Sequence, residues 1–260
     1  MPLEHEQPDP DAAVNVAFWN HAASVERYQV RVPYLYWYEE VLLGIALAAI
    51  RDRLGAPRLV HIVGCGPGRE VPPIRAACPD ARIAASDIAP AMVAACKRNL
   101  EAWGCATNVD VCCAPARSLR ADRGRAELVT ALSNVLTYVT PRAERVSMLS
   151  AIHALLHPGG ALVGTVHHRW GQPAKSAYFL MQAAATAARL SDTEPGERLT
   201  SFEGATRHLH YFTRGELLAL FAETGFEVKL LESLRTLSRQ HGQSYPATGD
   251  NNLVYVALAR

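Results

Sequence analysis

Between residues 60 and 68 the chain reads Val60-His61-Ile62-Val63-Gly64-Cys65-Gly66-Pro67-Gly68, a short apolar run followed by glycine at every second position. Only glycine lets a backbone bend this sharply and lets a ligand approach it without a side-chain clash. Placed straight after a strand, such a run predicts strand, tight turn and helix, the opening unit of a parallel sheet wrapped by helices. Asp87 ends the next apolar run, about twenty residues on, where a carboxylate can accept both hydroxyls of a ribose.

The rest of the chain keeps that rhythm. Period and punctuation predict strands over 58–63, 82–86, 109–113, 128–132, 161–166, 226–231 and 253–258. Helices are predicted over 12–28 and 33–53, ahead of the first strand, then over 69–77, 90–100, 142–156, 174–190 and 213–224. Pro90 is suited to a first helical position, His157-Pro158-Gly159-Gly160 closes one helix and Gly225 another. Residues 1–11 read as disordered, 12–55 as a helical cap and 56–260 as one domain, with an insertion at about 170–205 that ends in a polar loop from Ser191 to Gly204.

Composition narrows the function classes. Twenty-six Lys and Arg against 25 Asp and Glu leave no positive excess for a phosphate backbone, so nucleic acid is not the expected partner. The apolar run 41–50 is far short of the ~20 residues of a bilayer span, and the N-terminus lacks a basic start and apolar stretch, so neither membrane nor export is expected. Six cysteines without a C-x-x-C pair argue against a zinc site or a disulfide framework and fit small buried apolar residues in a reducing cytoplasm. A homodimer is left open.

The glycine spacing, G-x-G-x-G rather than the G-x-G-x-x-G of dinucleotide enzymes, resembles the first motif of class I S-adenosylmethionine-dependent methyltransferases. Ser86-Asp87-Ile88-Ala89-Pro90-Ala91-Met92 resembles that family's second-strand signature, and His157-Pro158-Gly159-Gly160-Ala161-Leu162 its approach to the fifth strand. Tyr211-Phe212-Thr213-Arg214-Gly215-Glu216-Leu217 with Gly225-Phe226-Glu227-Val228 resembles the late helix and strand of its small-molecule members. The resemblance implies an α/β, Rossmann-like, doubly wound and mostly parallel seven-stranded sheet with an N-terminal helical cap and an insertion after the fifth strand.

It also implies S-adenosyl-L-methionine as cofactor. Gly64, Cys65, Gly66 and Gly68 would line its methionine and ribose side, Asp87 would hold the ribose, and Ile88 and Met92 would flank the adenine. Ala114, Pro115 and Ala116 would pass the adenine edge, Ser133 and Asn134 would face the methionyl part, and Tyr28 would close over it. Two positions depart from the pattern. Ile62 stands where the family has an acid supporting the cofactor's ammonium, and Pro115 lies in a stretch where it has an acid accepting from the adenine amine.

A sulfonium is already an activated leaving group, so alignment of the acceptor is the main requirement and a general base a secondary one. His167, His210 and Tyr211 are the candidate catalytic residues, lying at or after the carboxyl end of the fifth strand, where parallel sheets bind ligands. His168 and His208 are their neighbours in the pattern. Arg31, Arg169 and Arg207 could fork a substrate carboxylate, and Tyr34, Tyr36, Trp37 and Tyr38 could stack on a flat substrate. His153 and His157 are spaced to chelate on one helix face but have no acidic or cysteine partner, so no metal is expected. The leading expectation is methyl transfer to an oxygen or nitrogen of a small molecule. Two alternatives are cyclisation of the cofactor's aminobutyryl arm with release of methylthioadenosine, suggested by Ile62, and a non-catalytic binding subunit.

Overall fold

The computed structural model describes residues 10–119, 125–190, 193–245 and 251–260, with side chains described from Ala13 onward. Most of the tail expected to be disordered therefore lies outside the described residues. Helices α1 (Pro10–Asn20), α2 (Ala22–Arg27) and α3 (Trp37–Leu54) come first. The single helix expected over 12–28 is broken at His21, whose extended backbone (φ −67°, ψ 135°) starts α2. α3 begins on a capping box in which the Tyr36 N–H donates to Glu39 Oε2 at 2.9 Å.

The alternating half follows: β1 (Leu59–Val63), α4 (Val71–Ala77), β2 (Arg82–Asp87), α5 (Pro90–Ala102), β3 (Val109–Cys113), β4 (Ala126–Ala131), α6 (Arg142–Leu155) and β5 (Leu156–Val166). Next come α7 (Pro173–Ala187), β6 (Glu197–Phe202), β7 (Ala205–His210), α8 (Arg214–Glu223), β8 (Phe226–Ser233), α9 (Leu234–Gln240) and β9 (Leu253–Ala259). Seven strands form one sheet in the order β3-β2-β1-β4-β5-β9-β8, parallel from β3 to β5, with β9 antiparallel to both its neighbours.

Strand parity splits the core. Val60, Ile62, Val163 and Val256 face a layer built by Leu42, Leu43, Ile50, Ile74 and Leu100, from α3, α4 and α5. Val63, Val129, Leu162 and Tyr255 face Met148, Leu149, Ile152, Leu220 and Phe221, from α6 and α8. β1 lies between β2 and β4, so the first two crossovers run one way and the next two the other. This reversal opens a crevice at the carboxyl ends of β1 and β4, the place where such sheets take ligands.

Two expectations are corrected here. The polar loop from Ser191 to Gly204 contains a strand, β6, paired with β7 through a two-residue turn at Glu203 and Gly204, both at positive φ (47° and 81°). Two positive φ angles at the turn match the twist of a hairpin, and the short alternation in Glu197–Phe202 was too weak to read as a strand. Cys112 and Cys113 are exposed rather than buried, because β3 is the edge of the sheet; all six cysteines are free. Among the described residues no helix is long and apolar enough to cross a membrane.

Candidate cofactor and acceptor site

A cavity of about 970 Å³ opens at the crevice. Its floor is the turn after β1. Gly64 and Gly66 sit at φ 68° and 50°. A Cβ on Gly64 would fall 2.4 Å from Val135 Cγ2, whereas one on Gly66 would meet nothing within 4 Å. Gly64 is thus needed for packing, and Gly66 turns bare backbone toward open space.

Asp87 closes the same turn. Its Oδ2 accepts from the Gly66 N–H and its Oδ1 from the Ala89 N–H, both at 2.9 Å. Burial raises its carboxyl above the ordinary range, and the N–H groups of Ala89, Gly66 and Ile88 partly offset this. Each oxygen keeps a second lone pair for a ligand hydroxyl. Ile88, Met92, Ala114, Pro115 and Ala116 continue the wall on this side.

On the other side β4 is followed, after Leu132, by two consecutive non-glycine residues at positive φ, Ser133 (57°) and Asn134 (63°). Left-handed backbone costs about 1–2 kcal/mol per such residue, so something must hold it. The Asn134 N–H donates to Thr165 Oγ1 at 2.9 Å, and Ser133 Oγ accepts from Arg69 Nη2 at 2.7 Å. Asn134 Oδ1 is a buried acceptor with no partner, on a residue that lines the cavity. An orphaned acceptor here fits a cationic donor such as the ammonium of a methionyl group, and the bare Gly66 beside Asp87 fits a ribose.

Arg69, directly after the glycine turn, ties the cap to this floor. Its guanidinium grips Glu39 with two bonds, Nη1 to Oε2 at 2.8 Å and Nη2 to Oε1 at 2.7 Å, and Nη1 also donates to the Tyr34 carbonyl at 3.2 Å. Both partners are almost fully buried. The rings of Tyr34 and Tyr36 lie against the same guanidinium at 5.0 and 5.2 Å, so the tyrosines of the cap approach the cavity through Arg69.

Ile62, the position lacking the family's acid, is fully buried against the α3 layer. Its partner across β4 is Thr130, whose hydroxyl donates to Glu70 Oε2 at 3.0 Å. Glu70 lines the cavity, so a carboxylate is present near this place after all, brought by the residue after Arg69. Burial pushes Glu70 up to about 7; the positive charge of Arg69 opposes this, Glu39 adds to it and the Thr130 hydroxyl opposes it.

The folded state therefore holds a proton here that the unfolded chain has lost. Stability from this group is full below the ordinary glutamate range and is lost as pH rises through about 7. Glu70→Gln is expected to remove that slope, exceeding the wild type by about 3 kcal/mol in urea denaturation at pH 8 and matching it near pH 4.

The remaining wall is aromatic. Trp19 meets Tyr28 and Tyr138 edge-on, each at 5.0 Å, and His167 stacks on Tyr211 at 5.1 Å with 19° between the rings. Nδ1 of His167 is 3.0 Å from Asn252 Oδ1, and its N–H donates to Thr137 Oγ1. Asn15 fastens α1 over this end, donating to the Tyr138 and His208 carbonyls at 2.8 and 2.9 Å and accepting from the His208 N–H at 2.8 Å.

Of the residues the sequence singled out, Tyr28, Gly64, Cys65, Gly66, Asp87, Ile88, Met92, Ala114, Pro115, Ala116, Ser133, Asn134, His167 and Tyr211 all line the cavity. Gly68 and His210 do not. Gly68 packs on α5, where a Cβ would lie 2.8 Å from Cys96 Sγ. His210 is fully buried and bonds Glu216 Oε1 at 2.5 Å, because strand alternation in β7 turns it to the side opposite the cavity-lining Tyr211.

His210, Glu194 and Glu216 bring ligand-type atoms within 4.8 Å of one another, but cations already engage both carboxylates. Arg145 pairs with Glu194, and Arg169 with Glu216 at 3.0 Å. This network fastens the insertion to α6 and α8. Arg169 also bonds the Tyr211 and Pro195 carbonyls, so it serves the scaffold. His153 and His157 do not converge: α6 ends at Leu155, His157 sits in β5 facing Glu127 at 3.8 Å, and His153 packs on Phe226. Sequence reasoning missed Arg69, Glu70 and Lys175 as lining residues, although the first two directly follow the glycine motif.

A family described as "Methyltransferase domain" matches residues 60–160. The carboxy-S-adenosyl-L-methionine synthase of Klebsiella pneumoniae is 34% identical over 129 residues, 48% of this chain and 50% of the relative, so the chain matches about half the length of that curated protein. Among solved structures, the CcbJ methyltransferase from Streptomyces caelestis superposes with a TM-score of 0.64 at 15% identity, over 94% of this chain and 98% of that one. The 1,6-didemethyltoxoflavin-N1-methyltransferase of Burkholderia thailandensis, with bound 1,6-didemethyltoxoflavin and S-adenosylhomocysteine, superposes with a TM-score of 0.59 at 20% identity, over 99% and 93%. With the glycine turn, the Asp87 contact and the sheet order already in place, residues 60–160 are similar to a methyltransferase domain, and the chain has the Rossmann-like fold of these S-adenosylmethionine-dependent methyltransferase structures.

Proposed function

We propose that the protein transfers a methyl group to an oxygen or nitrogen of a small molecule held in the aromatic half of the cavity. The observation that carries this reading is the placement of Asp87, bonded across the turn to the bare Gly66 backbone, on the floor of a cavity large enough for two ligands. When bound, S-adenosylmethionine supplies a methyl on a sulfonium that needs no further activation.

Asp87 holds the ribose through its two free lone pairs, and the glycine turn admits the nucleoside. Ile88, Met92 and the segment Ala114 to Ala116 flank the base. Asn134 Oδ1 and Glu70 receive the methionyl ammonium, with Glu70 supplying the carboxylate that Ile62 withholds. Tyr28 and Trp19 exclude water from above. His167, steadied by Asn252 and stacked on Tyr211, holds the proton released by an acceptor hydroxyl. Cyclisation of the aminobutyryl arm needs a loose amino group, and the acceptors at Asn134 and Glu70 speak against it.

Incubation of the full chain with S-adenosylmethionine and a panel of small hydroxy and amino compounds tests the reading by mass spectrometry. The expected result is one added methyl on an acceptor together with S-adenosylhomocysteine. Methylthioadenosine formed without an acceptor would overturn it in favour of cyclisation.

A further inference from the structure

The charges around the cavity are unevenly shared. The lining residues from the cap, α7 and β7 include Arg27, Arg31, Lys175 and Arg207 and, among the described residues, no acid. The acids that line it, Glu70, Asp87 and Glu144, all come from the alternating half, and each already has a partner: the Thr130 hydroxyl, backbone N–H groups and Arg117 respectively. The whole chain is close to charge balance, so a cationic acceptor wall is a local arrangement.

Two of these cations are held on the aromatic planes. Lys175 Nζ lies 5.5 Å from the centre of the Tyr211 ring, whose own stacking partner is His167. Arg207 packs against the Phe18 ring at 5.3 Å, donates through Nε to Thr200 Oγ1 at 3.0 Å and through Nη1 to Tyr138 Oη at 3.3 Å. Those contacts fix the guanidinium with neutral groups and leave its charge uncompensated by them. A fixed guanidinium fork is suited to a carboxylate, and the rings of Tyr138, Trp19 and Tyr211 beside it are suited to a flat body.

Resting on the methyl-transfer reading, we propose that the acceptor is a planar aromatic acid whose carboxylate is taken by Arg207 and Lys175 while its ring packs among Trp19, Tyr138 and Tyr211. This orientation sets the carboxylate on the insertion side and turns the opposite edge of the ring toward the methionyl end of the cavity.

The test uses the full chain saturated with S-adenosylhomocysteine and matched probes of equal shape: benzoate, 4-hydroxybenzoate and indole-3-carboxylate, each against its primary amide, by calorimetry. At least one acid is expected to bind tenfold or more tighter than its amide, and Arg207→Gln and Lys175→Gln are each expected to reduce that preference at least threefold. Retained affinity for S-adenosylhomocysteine shows that a variant is folded, and the two single variants are independent should one of them fail to fold. Equal binding of every acid and its amide, no binding of any acid, or a preference unchanged in both variants overturns the proposal while leaving methyl transfer standing. Absence of S-adenosylhomocysteine binding to the wild type would instead overturn the reading on which it rests.

Discussion

Asp87→Ala is expected to weaken S-adenosylhomocysteine binding by about a hundredfold or more. The carboxylate accepts from Gly66 and Ala89 and lines the cavity, so on the proposed reading it both holds the turn and offers charged acceptors to two ribose hydroxyls. A hydrogen bond to a charged group is worth about 1.5–3 kcal/mol, and losing two of them accounts for that factor before any loosening of the turn. Asp87→Asn should lose less, since it keeps one acceptor oxygen. Calorimetric titration of both variants measures the difference; affinity unchanged in Asp87→Ala would remove the ribose from this end of the cavity.

Arg69→Met is expected to destabilise the fold by about 3–5 kcal/mol, the cost of leaving one member of a buried ion pair alone. Glu39 would remain inside the cap with its two charged bonds gone and only the Tyr36 N–H beside it. The same change frees the Tyr34 carbonyl and Ser133 Oγ, so the cap, the glycine turn and the end of β4 lose a common tie. Arg69→Lys is not a conservative replacement, because a single ammonium cannot reproduce the fork. The double variant Arg69→Met with Glu39→Leu should fall well short of the sum of the single changes, and urea denaturation of the four proteins measures the coupling. Additive single and double changes would show that the pair does not act as a unit.

Much of this was legible in the sequence, and the reasons are local. The glycine turn, Asp87 and the strand positions follow from backbone freedom and hydrophobic period, which need no tertiary information. Ile88, Met92 and the Ala114 to Ala116 segment were expected from the family resemblance, and they line the cavity after β2, in α5 and after β3. Roles set by distant contacts were not legible. His210 looks equivalent to His167 in the sequence, but β7 alternation and the pairing with Glu216 bury it. Ile62 signalled a missing acid, while the carboxylate that reaches the cavity nearby, Glu70, is bonded by Thr130, the residue of β4 that lies opposite Ile62. The hairpin β6–β7 has too short an alternation to announce itself. Lys175 reaches the cavity only because α7 folds back beside Tyr211.

The most direct measurement is calorimetric titration of the unmodified chain with S-adenosylhomocysteine and, in parallel, with NAD. Saturable binding of the first and none of the second is the predicted result. Heat from NAD alone, or from neither, would contradict the assignment of the cavity to this cofactor.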